Sequence, residues 1–246
     1  MQVLQAALPP ELCGSMRLPG VAPVQGNWLH VDDAYSAQMA RRAEVLAEHP
    51  DQVIYGEGSP AAQEMFEVAL AAAADLGFQH LGDSVRRPDG VHVHIRAPLL
   101  TLGHLFQNDF VLMEAGPDGH VLSAAVLCFP ASWTLAEKAG RPLDIIHDPV
   151  EEYDDQLARR VQRLFDGVQV GRPLWRFNRL WYADAELYQP RSHAARRDIP
   201  ATPSKANFVR SERQTIVRLR RTGAVVFAIH TYVVDGPTAL AQLGEA

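Results

Sequence analysis

Two pairs of β-rich runs, each joined across a short turn, constrain this chain more than anything else in it. Residues 109–115 and 120–129 flank Gly116-Pro117-Asp118-Gly119, and residues 212–219 and 224–234 flank Arg220-Arg221-Thr222-Gly223. β-Branched and aromatic residues on either side of such turns read as antiparallel hairpins. Elsewhere the apolar residues recur at helical spacing. Ser59 can cap a helix with Pro60 in its first turn, Met65, Phe66, Ala69 and Leu70 as its apolar stripe, and Gly77 closing it. An earlier helix, expected on the surface, runs from Asp32 or Asp33 as N-cap through Tyr35, Met39, Ala43 and Leu46 to Pro50. Thr134 and Glu137 have capping-box spacing and predict a short helix that Gly140 and Pro142 end. A further apolar turn at 143–146 leads into His147-Asp148-Pro149, where the proline biases Asp148 away from helix and leaves His147 at a helix end. Residues 153–168 are amphipathic, with Arg159, Arg160 and Arg163 on the wet face. Helices, a hairpin, short helices and a closing hairpin make an α+β chain on an antiparallel sheet. No strand–GxGxxG–helix unit occurs, so a doubly wound nucleotide-binding fold is not expected.

The remaining segments are less regular. The first thirty residues carry Pro9, Pro10, Pro19 and Pro23 among glycines and read as an arm laid over the domain. Residues 91–96 alternate as a half-buried strand, residues 174–181 are strongly β-forming, and the Pro-containing stretch 188–206 reads as a long loop. With 29 acidic residues against 23 Lys and Arg, the net charge of −6 argues against a nucleic-acid binder. At 47% hydrophobic the chain can bury a core, and one elaborated domain over residues 1–246 is expected. No apolar run approaches the roughly 20 residues that span a bilayer, and residues 1–14 lack a basic n-region, so a cytoplasmic location is expected. Cys13 and Cys128 alone support neither a disulfide framework nor a four-cysteine cluster.

Histidines are the natural metal candidates. His92 and His94 lie two apart in a predicted strand and share a face, as two ligands of one metal require, but the following Ile95-Arg96-Ala97-Pro98-Leu99 adds no carboxylate. His147, after an apolar turn packed on the sheet, can bind iron through one ring nitrogen or can simply hydrogen-bond the last helix carbonyls. In Glu212-Arg213-Gln214-Thr215, Arg213 and Thr215 share one strand face while Glu212 and Gln214 share the other. These polar groups suit a propionate or a polar substrate, or else cross-strand ion pairs on a wet face. Trp133, Trp175 and Trp181 read as core or pocket wall, Lys138 as a solvated helix residue, and Cys128 as a buried small hydrophobe.

Several of these stretches occur together in a specific order. Cys128-Phe129-Pro130-Ala131-Ser132-Trp133, Glu137-Lys138-Ala139-Gly140-Arg141-Pro142-Leu143, Ile146-His147-Asp148-Pro149-Val150, Glu212-Arg213-Gln214-Thr215, Gly223-Ala224-Val225-Val226-Phe227 and Thr231-Tyr232 resemble the alpha-subunit family of haem-dependent oxidative N-demethylases. The resemblance spans about residues 28–232. It implies a PAS-like antiparallel sheet with short helices on one face, a haem-binding core over 90–235, and an N-terminal helical extension over 1–80. It also implies oxidation of a small secondary amine such as dimethylamine, with haem b iron and O2. Electrons would come from a partner reductase carrying FMN and a 2Fe–2S cluster and using NADPH, with tetrahydrofolate as a formaldehyde acceptor. A non-catalytic haem sensor or carrier is the alternative on the same fold. The resemblance makes His147 the proximal haem ligand, Arg213 a propionate or distal-pocket contact, and Glu212 the group that polarises the amine. Two positions depart from the family pattern: Arg220 stands where a Pro is usual, and His230 where an Arg is usual, so His230 changes the pocket's charge, or competes as a ligand, if its strand faces the pocket.

Overall fold

The computed structural model describes residues 3–14, 20–117, 119–147, 155–192, 194–195 and 206–244, with the side chains of His147 and Asp155 outside that description. In chain order the elements are a 3-10 turn (Pro10–Leu12), β1 (Ala22–Pro23), α1 (Tyr35–Glu48), α2 (Pro50–Val53), β2 (Ile54–Tyr55), α3 (Pro60–Ala73), a second 3-10 turn (Ala74–Leu76), β3 (Gln79–His80), β4 (Ser84–Arg86), β5 (His92–His94), α4 (Pro98–Leu105), β6 (Asp109–Gly116), β7 (Gly119–Val126), α5 (Leu143–His147), α6 (Asp155–Gly167), β8 (Leu174–Tyr182), β9 (Phe208–Arg218), β10 (Val225–Asp235) and α7 (Gly236–Leu243). Both expected hairpins form, and they pair with each other through β10 and β6. The main sheet runs β1-β8-β9-β10-β6-β7-β2 with antiparallel neighbours, and β3-β4-β5 make a small separate sheet.

Alternation along the central strands builds two cores, one on each face. Phe110, Leu112, Val217 and Val226 pack with α1, α3 and α4, whereas Val111, Met113, Ile216 and Val225 pack with Leu143 and Ile146 of α5 and Phe165 of α6. Helices therefore cover both faces, and the expectation of helices on one face holds only for α5 and α6. A register shift between Leu112 and Met113 leaves Ser123 unpaired, so Leu122 and Ala124 point to opposite cores despite their spacing of two. Gly56 sits against this bulge at φ +70, where a Cβ would collide with Ser123 O.

Some local expectations hold and others do not. Ser59 caps α3 by accepting from Ala62 N at 3.1 Å, and Gly77 closes its end at φ +84. The arm lies over β10: Gln5 N donates to Val233 O, and Leu8 and Leu12 are buried with Phe177 and Tyr232. α1 is not a surface helix, because Arg42, fully buried, donates to Gly103 O, Gln107 O and Asp109 Oδ1, and Gln38 donates to Thr231 O. Its N-cap is Ala34, while Asp32 accepts from Ala34 N. No helix follows Thr134. Residues 135–140 form successive turns: Lys138 N and Ala139 N donate to Leu135 O within the segment, but Gly140 N donates to Leu122 O and Leu122 N to Arg141 O, so the next bonds go to β7 and the turns do not extend into a helix. The predicted strand at 91–96 is the short β5, and the loop expected at 188–206 has neither helix nor strand among its described residues.

Candidate functional site

Asp109 and Arg210 fix the segment that carries the site's wall. Asp109 accepts from Cys128 N at 2.7 Å and Phe129 N at 2.9 Å while Arg42 neutralises it at 2.7 Å. Arg210 donates to Phe129 O at 2.5 Å and to Leu187 O at 3.1 Å. The chain leaves this anchor through Ser132, whose φ of +65 is a left-handed conformation that a side chain resists. The segment then places Trp133 and Lys138 on the sheet face that α5 and α6 also cover. Lys138 Nζ lies 4.4 Å from the centroid of the Trp133 ring, a cation–π distance.

Register sets the floor below them. On β8, β9 and β10 the pairs Arg176 with Gln214, Asn178 with Glu212, Ile229 with Gln214 and Thr231 with Glu212 put all of these side chains on one face. Glu212 is the centre of a hydrogen-bonded set. Its Oε2 accepts from Asn178 Nδ2 at 3.0 Å and Gln214 Nε2 at 3.1 Å, its Oε1 faces Arg210 Nη2 at 3.4 Å, and its backbone N donates to Asn178 Oδ1 at 3.1 Å. Arg176 Nη1 donates to Gln214 Oε1 at 2.9 Å, extending the set toward β8. Glu212, Gln214 and Thr231 are buried, whereas Arg176, Asn178, Phe227 and Trp133 are half-buried. Burial pushes the Lys138 ammonium down to about 8, with Glu137 and Glu212 partly offsetting it. Arg176 is lowered in the same way, again opposed by Glu212.

The residues singled out in sequence divide between the two faces. Glu212 stands on the floor just described. His147 is the last residue of α5, whose Leu143 and Ile146 pack on the same face; Asp148, Pro149 and Val150 lie outside the described residues. Arg213 points to the opposite face, where its guanidinium lies 4.0 Å from the Trp175 centroid and 3.4 Å from Glu11 of the arm. His230 is directly cross-strand from Arg213 and joins Asp32 there, so it does not share the face that α5 covers. Glu212 and Arg213 therefore do not form one site. His92 and His94 are both exposed on β5, and among the described residues no three His, Cys, Asp or Glu side chains converge as a metal site. Cys128 is fully buried, its thiol pushed up to about 12 by burial beside Arg42 and Asp109.

Sequence reasoning missed Arg176, Asn178 and Arg210, and it read Lys138 as solvated. The signal was present in β8, where Arg176 and Asn178 alternate with Trp175 and Phe177 and so declare a polar face. Lys138 gave no such signal, because its burial depends on the turns at 135–140 folding back onto β7. A family model described as haem-dependent oxidative N-demethylase, alpha subunit-like, matches residues 22–240. With the match running from β1 into α7, the chain belongs to the haem-dependent oxidative N-demethylase alpha-subunit-like family.

Proposed function

We propose that this chain is the haem-binding subunit of an oxidative N-demethylase acting on a small secondary amine of the dimethylamine kind, and that its core is PAS-like. The order β8-β9-β10-β6-β7, with α5 and α6 in the connection from β7 to β8, supports the PAS-like reading. The observation that carries the functional reading is the Glu212 set: a buried carboxylate, tethered by Asn178, Gln214 and Arg210, on the face over which α5 ends in His147.

The residues present fit a haem there. Arg176 Nε and Thr231 Oγ1 are buried without a hydrogen-bond partner among the described residues, and Trp133, Phe227 and Ile229 supply aromatic and apolar surface. His147 would hold the iron, and the haem supplies the oxidising chemistry when bound. Glu212 would receive the amine's N–H and hold its charge in a site of low dielectric, where a fixed carboxylate acts more strongly than in water. Asn178 and Gln214 keep that carboxylate from rotating. Trp133 and Phe227 would exclude water. O2 would serve as oxidant, with electrons from a partner reductase that oxidises NADPH through FMN and a 2Fe–2S cluster, and tetrahydrofolate as acceptor of the released formaldehyde belongs to the same reading.

The test is the absorption spectrum of protein expressed with haem supply, oxidised and then reduced under CO. A stoichiometric Soret band that shifts with CO is expected, and His147→Ala should abolish it. Dimethylamine should perturb the band in the parent protein and fail to do so in Glu212→Gln. No band after reconstitution with haem would refute the reading; a band without NADPH consumption, given a competent reductase and an amine panel, would make the chain a haem sensor or carrier.

A further inference from the structure

The charges on the site's floor do not balance. Arg176, Arg210 and Lys138 face only two carboxylates: Glu212, buried, whose oxygens are already engaged by Asn178, Gln214 and Arg210, and Glu137, an exposed neighbour of Lys138. Arg210 is also engaged, through the carbonyls of Phe129 and Leu187, with Nε alone left without a partner among the described residues. Neither of the other two meets a carboxylate at ion-pair distance among the described residues. Arg176 uses Nη1 on the neutral amide of Gln214, and among the described residues neither Nε nor Nη2 has a hydrogen-bond partner, although Nε is buried. Lys138 rests on the Trp133 ring, with no carboxylate at ion-pair distance among the described residues. Partly desolvated cations of this kind are costly unless an anion meets them. Thr231 Oγ1, on the same face and buried, adds another polar group with no partner among the described residues.

We propose that Arg176 and Lys138, together with Thr231, form a carboxylate-binding subsite beside Glu212. The free Nε–Nη2 edge of Arg176 presents two parallel N–H groups, which match the two oxygens of a carboxylate, and Lys138 supplies a second, adjustable charge. The proposal rests on the haem reading, in which two carboxylates are at hand: a porphyrin propionate, or a carboxylate on the amine substrate itself, as in an N-methyl amino acid. Arg213, which the sequence resemblance suggests for a propionate, lies across the sheet from this subsite. The charge that meets the carboxylate thus comes from β8 and from the turns before α5, not from the Arg of the E-R-Q-T segment.

The experiment uses metal-free protoporphyrin IX and its dimethyl ester, so that iron ligation plays no part. Both are titrated into the full chain, into Arg176→Gln, Arg176→Lys and Lys138→Gln, and into His147→Ala, with circular dichroism to confirm that each variant folds. Propionate binding predicts that the parent protein prefers the diacid by about tenfold or more, that Arg176→Gln and Lys138→Gln each reduce the preference, that Arg176→Lys keeps part of it, and that His147→Ala leaves it intact. In a second arm, haem-loaded protein is titrated with N-methylglycine and with dimethylamine, read by the Soret band. A substrate carboxylate predicts equal binding of diacid and diester, with N-methylglycine affinity lost in the Arg176 and Lys138 glutamine variants and dimethylamine affinity kept. Equal porphyrin affinities together with no variant-sensitive response to N-methylglycine would overturn the subsite alone. Failure of the parent protein to bind either porphyrin or haem would overturn the haem reading and the subsite with it.

Discussion

His230 Nε2 lies 2.9 Å from Asp32 Oδ2, a contact that ties β10 to the segment just before α1. Asp32 also accepts from Gln107 Nε2 at 2.8 Å, Gln5 Nε2 at 2.9 Å and Ala34 N at 3.0 Å, so one carboxylate holds the arm, α1, the sheet and the β6 approach together. Burial opposes its ionisation, but the hydrogen bonds and the His230 ring hold its carboxyl down at about 2.

Asp32→Asn should therefore destabilise the protein by about 1–3 kcal/mol at neutral pH, because buried donors lose a charged acceptor. The folded carboxyl is more acidic than the unfolded one, so its contribution is complete above about pH 4 and disappears as pH falls through 2. Urea unfolding from pH 7 down to 2 checks this: the gap between parent and variant should close only at the acid end. A constant gap would mean that packing, not charge, is lost.

His30 acts in the same direction over a different window. Its ring centroid is 5.7 Å from that of His230, and burial, then His230 and Arg213, push its imidazole down to about 3 against an opposing pull from Asp32. The unfolded chain takes up this proton near pH 6.5 and the folded chain does not, so stability falls as pH drops from about 6.5 to 3. His30→Phe should flatten that part of the curve in the same urea series, and an unchanged slope would assign it to other groups.

The parts of this molecule written in local periodicity were legible. Both hairpins, the Ser59 cap with its helix, the helical turn leading into His147 and the split of Glu212 from Arg213 all follow from spacings of two or 3.6. What depends on distant partners was not. Arg42 and Gln38 look like wet-face residues of α1 until the carbonyls of residues 103, 107 and 231 are brought to them. α4 was missed because its helical start is completed by Glu57, whose carboxylate accepts from Leu99 N and Leu100 N across the fold. α7 was missed for a different reason: Asp235 accepts from Thr238 N with Pro237 in the first turn, a local cap that was available in the sequence. At the site, Glu212 was legible as a polar residue among β-formers, but its three tethers come from β8 and from alternate positions of β9.

The Arg42–Asp109 pair, 2.7 Å apart and essentially unexposed, should be among the most sensitive positions in the chain. Asp109→Ala strands a buried guanidinium and frees Cys128 N and Phe129 N, at an expected cost of about 3–5 kcal/mol. Chemical denaturation measures the loss. If Arg42→Met with Asp109→Leu recovers stability while the haem binding proposed above is lost, the pair serves to place the 128–133 segment rather than to hold the fold.

Gly56 and Gly26 separate backbone strain from collision. They have φ of +70 and +76, so alanine at either pays the left-handed penalty of about 1 kcal/mol. Only at Gly56 does a Cβ strike backbone, at Ser123 O and Ala124 Cα, whereas Gly26 has nothing within 4 Å. Gly56→Ala should lower the melting temperature several degrees more than Gly26→Ala, and equal shifts would show that the bulge at Ser123 yields.

Lys138 and Lys205 are the two lysines of the chain, which makes the titration of Lys138 directly observable. Its ammonium is held at about 8 by burial, whereas the unfolded side chain titrates near 10.4. Between those values the folded state binds fewer protons than the unfolded state, so stability rises with pH across that window, the reverse of the usual lysine that gains a partner. Lys138→Met should remove the rise and leave the acid side of the curve unchanged. Reductive methylation with 13C-formaldehyde, followed by NMR, reads the midpoint itself with Lys205 as a reference in the same spectrum. A Lys138 midpoint near 8 would support the desolvated position over Trp133, and its movement upward on addition of a carboxylate ligand would report the anion meeting the ammonium; a midpoint near 10.4 would mean that the side chain swings free of the ring and stands in water.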